Sequence, residues 1–273
     1  MTSAKSKRGR PEGRLITNRD QEVLKQIARD GFQTYQELRF GILNGVNRTH
    51  AWDLMKKLVT MGLVVEIEGD GGGIRGWSLS PKGQQVLVQS NVEDSWPDVR
   101  PPSYKTSFEH DRILREVRRL LCKSPAIKKW VPEHVLRAQI MGHMMSLSHR
   151  ERSAKLLTVP DALFQFECRG KVFKAALELE LTRKSRKRIW QKLESHITSN
   201  AFEYVFFVLN DEKLMQLLWS LYEAVRGSSP RVKFASKQNG IYFITLDNLS
   251  SKELGAEFKG IQDTFRISDL AQG

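Results

Sequence analysis

Two rhythms of apolar and polar residues run along this chain, and they mark where helices and strands begin and end. In "RDQEVLKQIARDG", Val23, Leu24, Ile27 and Ala28 fall at helical spacing; Thr17-Asn18 supplies the opening cap and Gly31 the stop. "TYQELRFGIL" opens on Thr34 with Glu37 three residues on, a capping box. "NRTHAWDLMKKLVTMG" turns Ala51, Leu54, Met55 and Leu58 inward and ends at Gly62. "LVVEIE" and "WSLS", joined through "GDGGGIRG", form a two-stranded hairpin, and "PKGQQVLVQ" a short closing helix.

The pattern resumes after residue 107. "FEHDRILREVRRLLCK" carries Ile113, Leu114, Val117, Leu120 and Leu121 on one helical stripe. "WVPEHVLRAQ" is expected as a strand, and "HMMSLSHRERSAK" as a polar loop or short helix. "DALFQFECR" alternates, with Ala162, Phe164, Phe166 and Cys168 on one side. "KVFKAALELELT" alternates too: Phe173, Ala175, Leu177, Leu179 and Leu181 share one face, Glu178 and Glu180 the other. Arg169-Gly170-Lys171 joins these two as a hairpin. "SRKRIWQKLESHITSN" is a helix with Ile189, Leu193 and Ile197 inward, "YVFFVLN" a strand covered on both faces, "DEKLMQLLWSLYEAVRG" another helix, and "GIYFITLDNL" the last strand. The second half is therefore a mixed α/β (α+β) sheet flanked by helices.

Charge changes the picture. The 273 residues carry 44 Lys and Arg against 31 Asp and Glu, a net +13, which suits a polyanionic partner, above all double-stranded DNA. Residues 1–16 read as a disordered basic tail. Within it Lys7-Arg8-Gly9-Arg10-Pro11 resembles an AT-hook, which lays arginines along a narrow minor groove; the alternative is general phosphate attraction. Residues 17–90 read as a winged helix-turn-helix. Its third helix offers Asn47, Arg48, Thr49 and His50 to base edges, Lys56 and Lys57 to phosphates, and Arg75 at the wing tip to backbone or minor groove. Winged helices also serve as protein-interaction modules; the charge favours DNA here. Residues 91–107, with three prolines and no periodicity, are a linker, and 108–273 a second domain. Cys122 and Cys168 are too few for a disulfide framework or a CxxC-type zinc site, and are expected as reduced core residues. His134, His143 and His149 lack close metal-site spacing and are expected at the surface or facing DNA. With no apolar run of membrane-span length, the expected location is cytoplasmic, in a bacterial nucleoid- or plasmid-associated setting.

The second domain's element order, with Asp161 after Pro160 at the start of one strand and Glu178 in the next, resembles the PD-(D/E)xK nuclease superfamily. The resemblance implies a restriction-endonuclease-like fold. It also implies a catalytic set of Asp161, Glu178, Glu180 and Lys192, with Mg²⁺ (or Mn²⁺) held by Asp161, Glu178 and Glu180. Glu180 stands where the superfamily usually has lysine, and Lys192, three residues after Ile189, is the stand-in from the next helix. Arg183, Lys184, Arg186, Lys187 and Arg188 would grip the DNA backbone. His110 near the start of a helix, the Pro-Asp, the E-x-acidic strand and "KLxxH", together with the N-terminal unit, are similar to the replication-relaxation family of mobile-element proteins. His196 departs from it, standing where an aromatic is expected.

Three function classes follow: a metal-dependent endonuclease, a non-catalytic DNA-binding regulator or replication and transfer accessory with a degenerate nuclease fold, and an adaptor for a relaxase or transposase. A homodimer would suit the near-two-fold symmetry of duplex DNA. The bland alternative for Glu178 and Glu180 is a solvated sheet face whose acids pair with Arg183 or Lys184. P-loop, GxGxxG, GxSxG and HExxH signatures are missing, which argues against those enzyme classes.

Overall fold

The computed structural model describes residues 16–68, 74–90, 108–143, 159–230, 232 and 240–268. Lys7, Arg8, Arg10, the turn at 69–73, the 91–107 segment, His149 and the side chains of Arg75 and His143 lie outside what it describes. The chain divides into two compact units, Met1–Ser103 and Tyr104–Gly273.

In the first unit, helix α1 (Asn18–Asp30) starts where the Thr17 hydroxyl and the Asp20 carboxylate cap each other's backbone N–H groups. Gly31, at φ 79°, turns the chain into β1 (Phe32–Gln33), and Thr34 with Glu37 makes the expected capping box for α2 (Tyr35–Phe40). α3 (Arg48–Thr60) begins at Asn47, whose Oδ1 accepts the His50 N–H at 2.9 Å. It ends before Gly62, at φ 70°. β2 (Val64–Glu68), β3 (Ile74–Leu79) and α4 (Pro81–Gln89) follow. β1, too short to show as a pattern, pairs with β3 and makes an antiparallel sheet of order β1-β3-β2. Val23, Leu24 and Ile27 of α1, Leu38, Ala51, Met55 and Leu58 pack with Trp77 and Leu87 into one core. Trp52 is half-buried, stacked on Tyr35 and edge-on to Trp77, at the margin of this core.

The second unit carries α5 (Phe108–Leu121), β4 (Ile127–Pro132), α6 (Glu133–His143), β5 (Ala162–Cys168) and β6 (Lys171–Glu180). It continues with α7 (Arg186–Thr198), β7 (Tyr204–Leu209), α8 (Glu212–Ser228), β8 (Ile241–Thr245), α9 (Leu246–Lys252), β9 (Glu257–Lys259) and β10 (Thr264–Arg266). One seven-stranded mixed sheet runs β10-β9-β8-β7-β6-β5-β4, with β6, β7 and β8 mutually parallel and the remaining neighbours antiparallel. Arg169 and Gly170, both at positive φ, form the tight turn of the β5–β6 hairpin. β7 is central and its residues from Val205 onward are buried, as an all-apolar strand requires.

Three expectations need correction. The "WVPEHVLRAQ" stretch is strand only through Pro132; from Glu133 it is helix, with an acid in the first turn and Val135 and Leu136 inward. "GIYFITLDNL" is not the last strand. Thr245 caps α9 by accepting the Asn248 N–H at 3.3 Å, and two edge strands follow. Cys122 is exposed and so is not a core residue, while Cys168 is half-buried against the core beneath β5; both are free thiols.

The alternation of β6 sorts its side chains between two cores. Ala175, Leu177 and Leu179 join Phe164, Phe206 and Val208 under α5 and α9. On the other face Ala176 meets Phe207 and Phe243 beneath Ile189, Leu193 and Ile197 of α7 and Leu218 and Tyr222 of α8. The carboxylates of Glu178 and Glu180 belong to that second face. Among the described residues no helix is long and apolar enough to cross a membrane.

Gly83 shows how closely α4 approaches β2. A methyl group there would sit 2.0 Å from the Leu63 carbonyl oxygen, which is backbone and cannot yield. Gly83→Ala is therefore expected to destabilise the first unit by about 1–3 kcal/mol, the usual range for overpacking. Urea unfolding followed by tryptophan fluorescence measures it, and an unchanged midpoint would contradict the packing.

Candidate active site

Asp161, Glu178, Glu180 and Lys192 come from separate stretches of sequence, and the fold brings them together. Asp161 immediately precedes Ala162, which pairs with Leu177, so it arrives at the end of β6 where Glu178 and Glu180 lie. β6 and β7 run parallel, and the two glutamates fall beside Phe207 and Leu209 at their C-terminal ends. α7 then crosses that face. Lys192 and His196 are four residues apart, one turn, so both point at the acids from the same side of the helix.

These carboxylates are inside the protein, with relative exposures of 9%, 0% and 4% for Asp161, Glu178 and Glu180. That removes the solvated-face reading, because a buried charge is costly unless paired and hydrogen-bonded. The partners are present. The Lys192 ammonium contacts Glu178 Oε2 and lies 2.7 Å from Glu180 Oε1. Lys184 approaches Glu180 Oε2 at 2.6 Å, one of the two cation pairings foreseen. His196, buried against Phe202 and Phe207, donates from Nε2 to Glu178 Oε1 at 2.5 Å. Asp161 Oδ2 accepts the Leu179 N–H at 2.7 Å and faces His110 Nε2 at 3.5 Å, while that same nitrogen donates to the Leu179 carbonyl at 3.1 Å.

Burial alone would push the Asp161 carboxyl up; the His110 hydrogen bond, the Lys192 and His110 charges and the Leu179 N–H reverse this and hold it well below the usual range. Burial alone would lower His110, but Asp111 and Asp161 together push it up to about 10. Lys192 is raised, as Glu178, Asp161 and Glu180 outweigh its desolvation. A further acid lies alongside. The Glu133 N–H donates to the Asp161 carbonyl at 2.9 Å, and burial with the Asp161 charge raises the Glu133 carboxyl despite its contact with Arg137.

The donor chemistry suits a hard divalent cation, which takes carboxylate oxygens. Glu178 Oε2 is buried, and the partner it meets there is the Lys192 ammonium. That ammonium fills the space between the two glutamates. Among the described residues no three His, Cys, Asp or Glu side chains stand as a ready-made ligand group. Glu178 and Glu180 are oxygen donors of the type that Mg²⁺ or Mn²⁺ takes, and the Lys192 ammonium occupies the point between them.

The other expected contacts divide. Arg183, Arg186, Lys187 and Arg188 are exposed, the last three in the first turn of α7, which contains no acid. Lys184 is partly drawn in by Glu180. Asn47, Arg48, Thr49, His50 and Lys56 are exposed along α3. Lys57 differs from Lys56: its ammonium contacts the buried Asp20, so it ties α3 to α1 and is less available to a phosphate. His134 is half-buried and has a partner of its own.

Three residues at the site were not foreseen as part of it. His196 was readable from its four-residue offset to Lys192. Glu133 was hidden by reading its segment as a strand. His110 is supplied by a helix 51 residues before Asp161, a distance no local pattern bridges.

No family model and no curated protein matches this chain. The crystal structure of the pre-specific restriction endonuclease BsaWI in complex with DNA aligns over 88% of this chain and 92% of its own, at 12% identity and a TM-score of 0.28. An overlay that loose does not establish a common fold.

The His110–Asp161 pair has a pH signature. The folded-state value of His110 lies above the about 6.5 of an unfolded histidine. Its stabilisation is therefore fully present below about pH 6.5 and is lost as pH rises through about 10. The depressed Asp161 acts oppositely: its share is present above about pH 3.9 and fades on acidification. An NMR titration should show a histidine still protonated at pH 8 that disappears in His110→Gln. If every histidine titrates between about 6 and 7, the pairing is wrong.

Proposed function

We propose that this protein binds duplex DNA through its N-terminal unit and hydrolyses phosphodiesters, with a divalent metal, at the Asp161–Glu178–Glu180–Lys192 cluster. The observation that carries the reading is the convergence of those four side chains, from a strand start, a strand end and a helix, into one buried group at the C-terminal ends of parallel strands. The PD-(D/E)xK-like order of elements around them supports it.

When bound, Mg²⁺ or Mn²⁺ supplies a Lewis acid for a phosphoryl oxygen and an acidified water. Asp161, Glu178 and Glu180 would hold it. His110 keeps Asp161 ionised and fixed against the Leu179 backbone. His196 orients Glu178 by occupying one of its oxygens. Lys192 offers a positive charge for the negative charge that develops on the phosphorus oxygens. Arg183, Lys184, Arg186, Lys187 and Arg188 would track the backbone phosphates.

For the N-terminal unit, the order α1-β1-α2-α3-β2-β3 supports a winged helix-turn-helix. Arg48, Thr49 and His50 of α3, and the side-chain NH₂ of Asn47, would face bases, with Lys56 on phosphate and Arg75 at the wing. Lys7, Arg8 and Arg10 would add minor-groove or phosphate contacts. A homodimer, and a relaxase or replication protein as partner, belong to this proposal, as does a plasmid or mobile-element setting of the replication-relaxation type.

One observation favours a second reading. The cluster's charges already satisfy one another, which suits a non-catalytic DNA-binding regulator or transfer accessory that keeps the fold as scaffold.

Supercoiled plasmid, linear duplex and branched DNA, each with Mg²⁺, Mn²⁺ or EDTA, separate the two. The first reading expects metal-dependent nicking that drops at least ~10³-fold in Asp161→Ala/Glu178→Ala, in line with removing a metal's Lewis-acid contribution, with DNA binding in EDTA retained. No cleavage alongside intact binding would leave the second. In either case Arg186→Ala should weaken binding to all sequences alike and lower the salt slope by roughly 0.9 for each phosphate that is no longer neutralised. An unchanged slope would remove the basic run from the interface.

A further inference from the structure

Glu178 and Glu180 are two residues apart on one strand, so their carboxylates hang side by side from the same face. His196 takes Oε1 of Glu178 and so turns Oε2 toward the space the two acids share. That oxygen is buried and, among the described residues, has no partner from the sheet itself. The charge facing it is the Lys192 ammonium, in contact with Oε2 and 2.7 Å from Glu180 Oε1. Two buried carboxylates converging on one point provide what a hard divalent cation needs, yet α7 delivers a side-chain cation to the same point.

We propose that Lys192 is a built-in competitor for the divalent cation: ammonium and metal share the pocket between Glu178 and Glu180, and loading requires the lysine to swing away. This rests on the metal-dependent reading above and specifies how its site is controlled. Both species neutralise the same acids, so they exclude each other by charge as well as by volume. They differ in what else they require. The ammonium is tethered and needs only the two glutamates. The metal brings two charges and wants an octahedron of oxygens, which Asp161 and water must complete. Lys192 therefore lowers the metal affinity of the free protein while keeping the acids from repelling each other.

Mn²⁺ binding to the full chain, measured by isothermal titration calorimetry without DNA, tests the competition. Lys192→Met is expected to bind Mn²⁺ ~10-fold tighter than wild type, within the usual range of coupling between sites. Lys192→Arg, which keeps the cation, is expected to bind no tighter. Adding Glu178→Gln to Lys192→Met should remove the gain.

Taking away the ammonium leaves two buried carboxylates facing each other and can weaken the fold, so thermal unfolding is followed in parallel. Mn²⁺ should raise the Tm of Lys192→Met by several degrees more than that of wild type, because a ligand stabilises the state it binds. If wild type binds Mn²⁺ and Lys192→Met binds it equally or less well, or if Lys192→Arg gains as much as Lys192→Met, the competition is overturned while the metal-dependent reading stands. If neither protein binds Mn²⁺ and neither Tm responds, both are overturned.

Discussion

The contact between the Lys192 ammonium and the carboxylates of Glu178 and Glu180 is the constraint on which the second unit turns. Alternation along β6 forces these acids onto the face that α7 covers, where Ile189, Leu193 and Ile197 seal the sheet. Without a cation at that point, two like charges would sit in a low-dielectric layer and α7 could close only by protonating or expelling one of them. The helix that contributes the apolar stripe therefore also contributes the counter-charge, three residues after Ile189. Packing and electrostatics are one event, carried by a single turn of helix.

Such a cluster is poor evidence of a need for stability. Desolvation offsets much of what a buried ion pair gains, and apolar residues of similar volume often do as well or better. The first unit shows a modest version, where one buried acid, Asp20, meets one helix lysine, Lys57, and the pair orients α3. The second unit gathers Asp161, Glu178, Glu180, Lys184, Lys192, His110 and His196 at one strand end, more than fixing a helix would require. That surplus gives the proposed chemistry its physical footing.

What could be read in the sequence was whatever repeats at short range. Capping boxes at Thr17 and Thr34, the alternation that separates Leu177 and Leu179 from Glu178 and Glu180, and the Arg169-Gly170 turn all rest on neighbours a few residues apart. The offset of Lys192 from Ile189 was enough to aim it at the sheet. What failed or stayed hidden depends on tertiary contact or on two patterns sharing one stretch. Val135 and Leu136 suit a strand or a helix, and the position of Glu133 after Pro132 was the deciding feature. Thr245 ends β8 and caps α9 at once, so a continuous apolar run conceals the switch. His110 reaches Asp161 only because α5 packs over the other face of the sheet.

The basic run before and within α7 connects the cluster to the proposed partner. Arg186, Lys187 and Arg188 occupy a first turn without acids, where the helix dipole already presents positive potential; each such cation costs roughly 0.3–1 kcal/mol at an exposed site. A local arrangement that is electrostatically unfavourable in the free protein becomes favourable once a polyanion lies against it. Lys184 belongs to the same run yet has one of Glu180's oxygens as its partner, while Lys192 has the other. A backbone phosphate placed there would offer both lysines a second anion, and every lysine it drew off would free a carboxylate oxygen for metal. Under the proposed function, then, DNA docking and metal loading are coupled through two side chains. By linkage the coupling acts in both directions, with metal tightening the hold on DNA as DNA opens the site to metal.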